Sequence, residues 1–170
     1  LTEFLPVSSS GHLALLHFLF GAQDENLSFD IVVHMGTALS VICVYRKTLA
    51  NIVSGFFKAV AQRKMNVGAY LILMIIIGTF ITGVIGVTFK PFFEKAFTNV
   101  YIVVGGFVFT SILLLLTKSK PASKQDFLKF DSESKLTARK AAIIGLSQAF
   151  AILPGFSLSG TAIATGLFVG

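Results

Sequence analysis

The chain has 170 residues, of which 54% are hydrophobic and only 13% charged, and its mean hydropathy is +0.82. Soluble domains carry about 25% charged residues, so this balance excludes an ordinary globular protein and indicates an integral membrane chain. The net charge of +6 sits beside apolar runs, where it marks topology and argues against nucleic-acid binding.

The first polar interruption opens the chain. Leu5-Pro6-Val7-Ser8-Ser9-Ser10-Gly11-His12, with Glu3 just ahead, sets a carboxylate, three hydroxyls and an imidazole against hydrophobic sequence. Polar groups in hydrocarbon are costly and need partners or a wet cavity, which makes them functional candidates. The apolar stretch that follows, 13–20, is too short to cross a bilayer core that needs about 20 residues. A short span is predicted over 29–45, carrying Asp30 and His34 four apart on one helical face, where they can pair or line the site. Strong spans are predicted over 67–89 and 100–117, and 141–153 is again too short to cross alone. A second interruption, Pro154-Gly155-Phe156-Ser157-Leu158-Ser159-Gly160-Thr161, follows it. Eighteen Phe and no Trp fit lipid contact without a Trp belt, and the lone Cys43 reads as packing.

Connecting segments set the orientation. Residues 21–28 hold Asp24 and Glu25 and no basic group, whereas 46–64 hold Arg46, Lys47, Lys58, Arg63 and Lys64 and no acid. Residues 90–97 read as a short mixed loop, and 118–140 carry seven Lys/Arg against three acids. This low, high, low, high alternation puts 46–64 and 118–140 on the cytoplasmic side and 21–28 and 90–97 outside. Within the first basic segment, 50–60 has helical apolar spacing, as an inner-leaflet or connecting helix would.

The two interruptions resemble each other. Leu5-Pro6 precedes Gly11-His12 by four residues, Leu153-Pro154 precedes Gly160-Thr161 by five, and a Ser stands before each Gly. Paired breaks of this kind point to an inverted-repeat site near the bilayer midplane. The expected architecture is all-α: one polytopic membrane domain over 1–170, with broken, re-entrant segments at 1–20 and 141–170. The sequence reads as an excerpt of a longer protein.

Ser and Gly at the mouth of a helix converge N–H groups and hydroxyls on a point suited to phosphate. Glu3 beside such a site is placed to hold a divalent cation that bridges to phosphate oxygens. His12 can exchange a proton near neutral pH, and Ser9 is the candidate nucleophile if the chemistry is covalent. The plainer reading of a Ser-rich turn is a helix cap. His17, further along the apolar stretch, reads as a structurally bonded histidine.

Leu-Thr-Glu-Phe-Leu-Pro-Val-Ser-Ser-Ser-Gly-His-Leu at 1–13 closely resembles the first signature of the undecaprenyl pyrophosphate phosphatase family of the BacA type. Phe29-Asp30-Ile31-Val32-Val33-His34-Met35-Gly36 resembles its second conserved segment, and Ile144 through Gln148 with Pro154 through Gly160 resembles its second signature. The resemblance covers essentially the whole chain. It implies a hydrolase of the bacterial inner membrane that removes the terminal phosphate of undecaprenyl diphosphate on the outer side. That reaction recycles the carrier lipid for peptidoglycan and cell wall synthesis and is linked to bacitracin resistance.

It also implies roles: Glu3, Ser9 and His12 catalytic, Glu3 a ligand of a divalent cation (Mg2+ or Ca2+). Ser8, Ser10, Gly11, Gly155, Ser157, Ser159, Gly160 and Thr161 become phosphate-binding. The expected partners are a polyprenyl diphosphate lipid, the membrane and a second copy of the chain in a homodimer. Two departures from the pattern stand out. The first glutamate of the family's acidic pair would precede Leu1, and Leu158 occupies the position of an arginine between the two serines. Leucine cannot grip a phosphoryl group bidentately or neutralise its charge. That departure keeps a second expectation open, a non-hydrolytic polyprenyl-phosphate binding protein or transporter.

Overall fold

A computed structural model describes residues 5–20, 27–118 and 136–169. Their elements are all helical: α1 (Ser9–Phe20), α2 (Leu27–Gln62), α3 (Val67–Thr88), α4 (Lys90–Phe97), α5 (Val100–Thr117), α6 (Ala138–Phe150) and α7 (Leu158–Val169). The all-α class expected from the sequence is the class observed.

Helix α2 corrects one boundary. The span expected to stop at residue 45 runs on as one helix of 36 residues, about 54 Å at about 1.5 Å per residue. Its basic residues mark where the chain leaves an apolar layer, not where the helix ends, because Arg and Lys are good helix formers and no Pro intervenes. The helix stops at a left-handed residue, Arg63 (φ 51°). Arg63 N donates to Val60 O at 3.3 Å and Lys64 N to Ala59 O at 3.1 Å, which satisfies two terminal carbonyls. Asn66 then caps α3, accepting from Ala69 N at 3.0 Å while its amide donates to Gly55 O on α2 at 2.6 Å.

The segment expected as a loop at 90–97 is a second correction: it forms the helix α4. Pro91 falls in the first turn, where its missing N–H costs nothing, and Phe93 and Ala96 are buried. Residues 50–60 are the second half of α2, not a separate helix.

Helices α3 and α5, of 22 and 18 residues, are long and apolar enough to cross a membrane. Only 11% and 17% of their apolar stretches are buried inside the protein. The core helix of a soluble protein would be mostly buried, so these apolar faces call for lipid or further protein against them.

The helices meet through small side chains. Among the described residues, eight of the twelve buried hydrophobic side chains are alanines: 14, 59, 69, 96, 141, 149, 151 and 164. This is how membrane helices gain packing when lipid already solvates large apolar groups. The closest crossing is α3 on α6, where a β-carbon on Gly145 would fall 2.5 Å from Gly78 O. Thr82 Oγ1 lies at the same crossing, 2.8 Å from Gly145 O and 3.0 Å from Gly78 O. Helices α1 and α7 both pack on α5, which brings the two interruptions to one wall.

Candidate active site

The first turn, Leu5–Ser8, enters α1 through Ser8, which caps it. Ser8 Oγ accepts from Gly11 N at 3.1 Å, and Ser8 O accepts from His12 N at 3.2 Å. Ser8 sits at φ 61°, a left-handed conformation that costs a non-glycine residue about 1–2 kcal/mol. Backbone strain of this kind concentrates at functional sites.

The second turn repeats the pattern atom for atom. Ser157 Oγ accepts from Gly160 N at 3.1 Å, and Ser157 O accepts from Thr161 N at 2.8 Å. Ser8 Oγ stands 3.3 Å from Ser10 Oγ, and Ser157 Oγ stands 3.3 Å from Ser159 Oγ. The register is therefore Ser8 with Ser157, Ser9 with Leu158, Ser10 with Ser159, Gly11 with Gly160 and His12 with Thr161. Counting from the prolines misaligns the turns by one residue, since Pro6 corresponds to Gly155 and not to Pro154. Gly155 has φ 89°, and a β-carbon there would lie 2.1 Å from Val103 O, so only glycine fits.

Both turns open on one cavity of about 370 Å³, within the roughly 300–1,000 Å³ of small-molecule sites. Its polar lining is Ser8, Ser9, Ser10, His34, Gln148, Ser157 and Ser159, and its apolar lining includes Phe156, Leu158 and Ala162. Two helix N-termini converge there. By helix geometry the amides of Ser9, Ser10, Leu158 and Ser159 have no acceptor within their own helices. Each terminus carries roughly half a positive charge, so the cavity favours an anion although its described lining holds no arginine or lysine.

His12 does not line the cavity; it lies three residues beyond Ser9 on α1. Its Nδ1 is 2.7 Å from Ser8 O. A carbonyl oxygen only accepts, so Nδ1 carries the proton in the neutral ring and Nε2 is left as the basic atom. The ring meets Phe107 edge-on, with centroids 5.0 Å apart and planes at 80°. The counterpart of that bond in the second turn is made by Thr161, whose Oγ1 donates to Ser157 O at 2.7 Å. Thr161 is 3% exposed and lies outside the cavity lining, so its hydroxyl serves the turn itself. Gly11, Gly155 and Gly160 likewise form the contact between turns and do not line the cavity.

Thr110 on α5 is a residue that the sequence reading missed. The residue is 3% exposed, and its hydroxyl accepts from Ser157 N at 3.1 Å and donates to Gly155 O at 3.3 Å. Without it, a buried amide would lose its partner at a cost of about 1–3 kcal/mol. The available signal was a threonine inside an apolar span. Gln148 reaches the cavity from α6, with its Oε1 3.5 Å from Thr82 Oγ1.

Glu3 lies outside the described residues, as do the side chains of His17 and Asp30, so the proposed Asp30–His34 pairing falls there too. Among the described residues, no group of three or more His, Cys, Asp or Glu side chains gathers. The described lining offers hydroxyls, an amide and an imidazole but no carboxylate. Taken alone it does not fit Mg2+ or Ca2+, which want carboxylate oxygens.

The family model of the bacitracin resistance protein BacA matches residues 1–170. Undecaprenyl-diphosphatase of Bacteroides thetaiotaomicron is 42% identical over 171 residues, covering 100% of this chain and 61% of its own length. The enzyme of that name from Parabacteroides distasonis is 42% identical, with 60% of its length covered, and that from Myxococcus xanthus is 34% identical, with 56% covered. The chain thus spans about 60% of the length of the curated relatives it matches. With two matched serine turns closing on one anion-favouring cavity, and with a family model matched from end to end, the chain belongs to the BacA bacitracin resistance family.

Proposed function

We propose that the protein carrying this sequence is an undecaprenyl-diphosphate phosphatase. The observation that carries the reading is the convergence of two serine-capped helix N-termini on one cavity. A terminal phosphate enters between the turns, where amides and hydroxyls replace its hydration. Ser9, or a water beside it, attacks the terminal phosphorus; the new O–P bond forms as the bridging P–O bond breaks. Undecaprenyl phosphate leaves with the bridging oxygen, and the attacking hydroxyl gives its proton to His12 Nε2. If Ser9 is the nucleophile, water then cleaves the phosphoserine to release inorganic phosphate.

The apolar lining at Phe156, Leu158 and Ala162 faces the start of the isoprenoid tail. A divalent cation, Mg2+ or Ca2+, belongs to the proposal through Glu3, where it would neutralise phosphate charge. Charge alternation supports a multi-pass location in the bacterial cytoplasmic membrane, with both turns re-entrant and the site facing outward.

Phosphate release from undecaprenyl diphosphate by the full-length protein tests the reading. Ser9→Ala and His12→Gln should each lower release by about 10²-fold or more, the scale of general acid–base catalysis, with lipid binding retained. Chelation should abolish release. Tight lipid binding with no release above background would instead assign a non-hydrolytic carrier role, the reading that Leu158 favours.

A further inference from the structure

Neither turn is held in place by its own helix alone. Helix α5 sets Val103, Gly106, Phe107 and Thr110 along one face, at the i, i+3, i+4, i+7 spacing of a helical stripe. Val103 O abuts Gly155, and Gly106 leaves no room for a β-carbon, which would fall 2.6 Å from Gly155 C. Phe107 fills the other side, with its Cζ 2.8 Å from where a β-carbon on Gly11 would be and its ring against His12. Thr110 closes a two-bond clamp on Gly155 O and Ser157 N. Neither Phe107 nor Thr110 lines the cavity.

We propose that Phe107 and Thr110 are positioning residues: α5 sets the plane of the His12 ring from one turn and the seat of the Ser157 backbone from the other. The imidazole has two anchors, Nδ1 on Ser8 O and the ring edge on Phe107, and together they aim Nε2. The second phosphate cradle hangs on the Thr110 hydroxyl. Proton acceptor and cradle are thus registered to each other by a helix that touches no substrate. The kinetic part of this inference rests on the phosphatase reading above.

The test uses the full-length protein and three variants: Phe107→Leu, Thr110→Val and Thr110→Ser. Misplacing a reacting group by about 1 Å can cost about 10²-fold. Phe107→Leu should lower kcat about tenfold or more while KM stays within twofold, and it should move the His12 ring resonances in histidine-labelled protein. Thr110→Val should raise KM and speed hydrogen exchange across 155–161, and Thr110→Ser should stay within twofold of the unaltered protein. Equal losses in Thr110→Val and Thr110→Ser would overturn the proposal, because packing alone would then explain them. Unmoved resonances and exchange would overturn it as well. If the unaltered protein releases no phosphate, the phosphatase reading fails, and the resonance and exchange measurements still decide the positioning role.

Discussion

Gly11 and Gly155 are in backbone contact: a β-carbon on Gly11 would fall 2.7 Å from Gly155 Cα. The mirrored contact also exists, because a β-carbon on Gly160 would lie 3.2 Å from Pro6 Cβ. In the register of the two turns, Pro6 corresponds to Gly155 and Gly11 to Gly160. The turns therefore touch through a pair of equivalent contacts, as an approximate two-fold arrangement requires.

Gly11→Ala should separate the turns. Its new methyl meets Gly155 backbone at 2.7 and 2.8 Å and Phe107 Cζ at 2.8 Å, and only the ring can give way. Overpacking of this kind costs about 1–3 kcal/mol, so thermal unfolding in detergent should fall and phosphate release should fall with it. Gly36→Ala is the control, since nothing lies within 4 Å of that position and alanine suits a helix interior better by about 1 kcal/mol. It should leave stability unchanged or slightly raised.

Gly155→Ala should be worse than Gly11→Ala. Two penalties combine: the left-handed φ of 89° and a β-carbon 2.1 Å from Val103 O, a backbone atom. The first alone costs about 1–2 kcal/mol. Comparative unfolding of the two variants checks the order, and equal stability would contradict the geometry.

The two caps differ in one testable respect. Ser8→Ala and Ser157→Ala should each lose about 1 kcal/mol, since each removes the acceptor of a helix N-terminal amide. Ser8 alone sits at positive φ, so Ser8→Gly should be better tolerated than Ser8→Ala, whereas the same swap at Ser157 relieves no such strain. Unfolding midpoints of the four variants give the comparison.

Leu158→Arg should raise turnover. Leu158 lines the cavity, is 51% exposed and holds the place in the second turn that Ser9 holds in the first. The described lining contains no cation, so a guanidinium there adds charge where the transition state needs it. Arginines in comparable roles are worth about 10³–10⁵ in rate, and even a tenfold gain would support the assignment. Leu158→Met, which keeps the size and adds no charge, should leave the rate as it was; a matching gain there would point to packing.

The spans over 67–89 and 100–117 were readable because a bilayer demands a long apolar run, and composition reports such runs directly. The end of α2 was not readable in the same way. Five cations signal departure from an apolar layer, yet the helix continues past Arg46, Lys47 and Lys58, since Arg and Lys suit a helix and no proline interrupts it. The helix at 90–97 was hidden for a different reason: it has only eight residues, and Pro91 in its first turn reads as a breaker.

At the site, the hydroxyl-rich turns pointed to a candidate anion site through residue type alone. Which hydroxyls face the cavity could not be read there. Ser9 and Ser159 line it, while Thr161, four residues beyond Ser157, turns its hydroxyl back on Ser157 O. That choice depends on rotamers and on the wall that α5 provides.

Residue chemistry along the chain was enough to establish a helical membrane protein with two polar interruptions suited to phosphate, because hydropathy and turn-forming residues act locally. Only packing in three dimensions decided that the interruptions meet at Gly11 and Gly155, that their true register runs from serine to serine, and that Thr110 and Phe107 brace them. Contacts between residues distant in sequence depend on where small side chains let helices approach, and no local pattern records that.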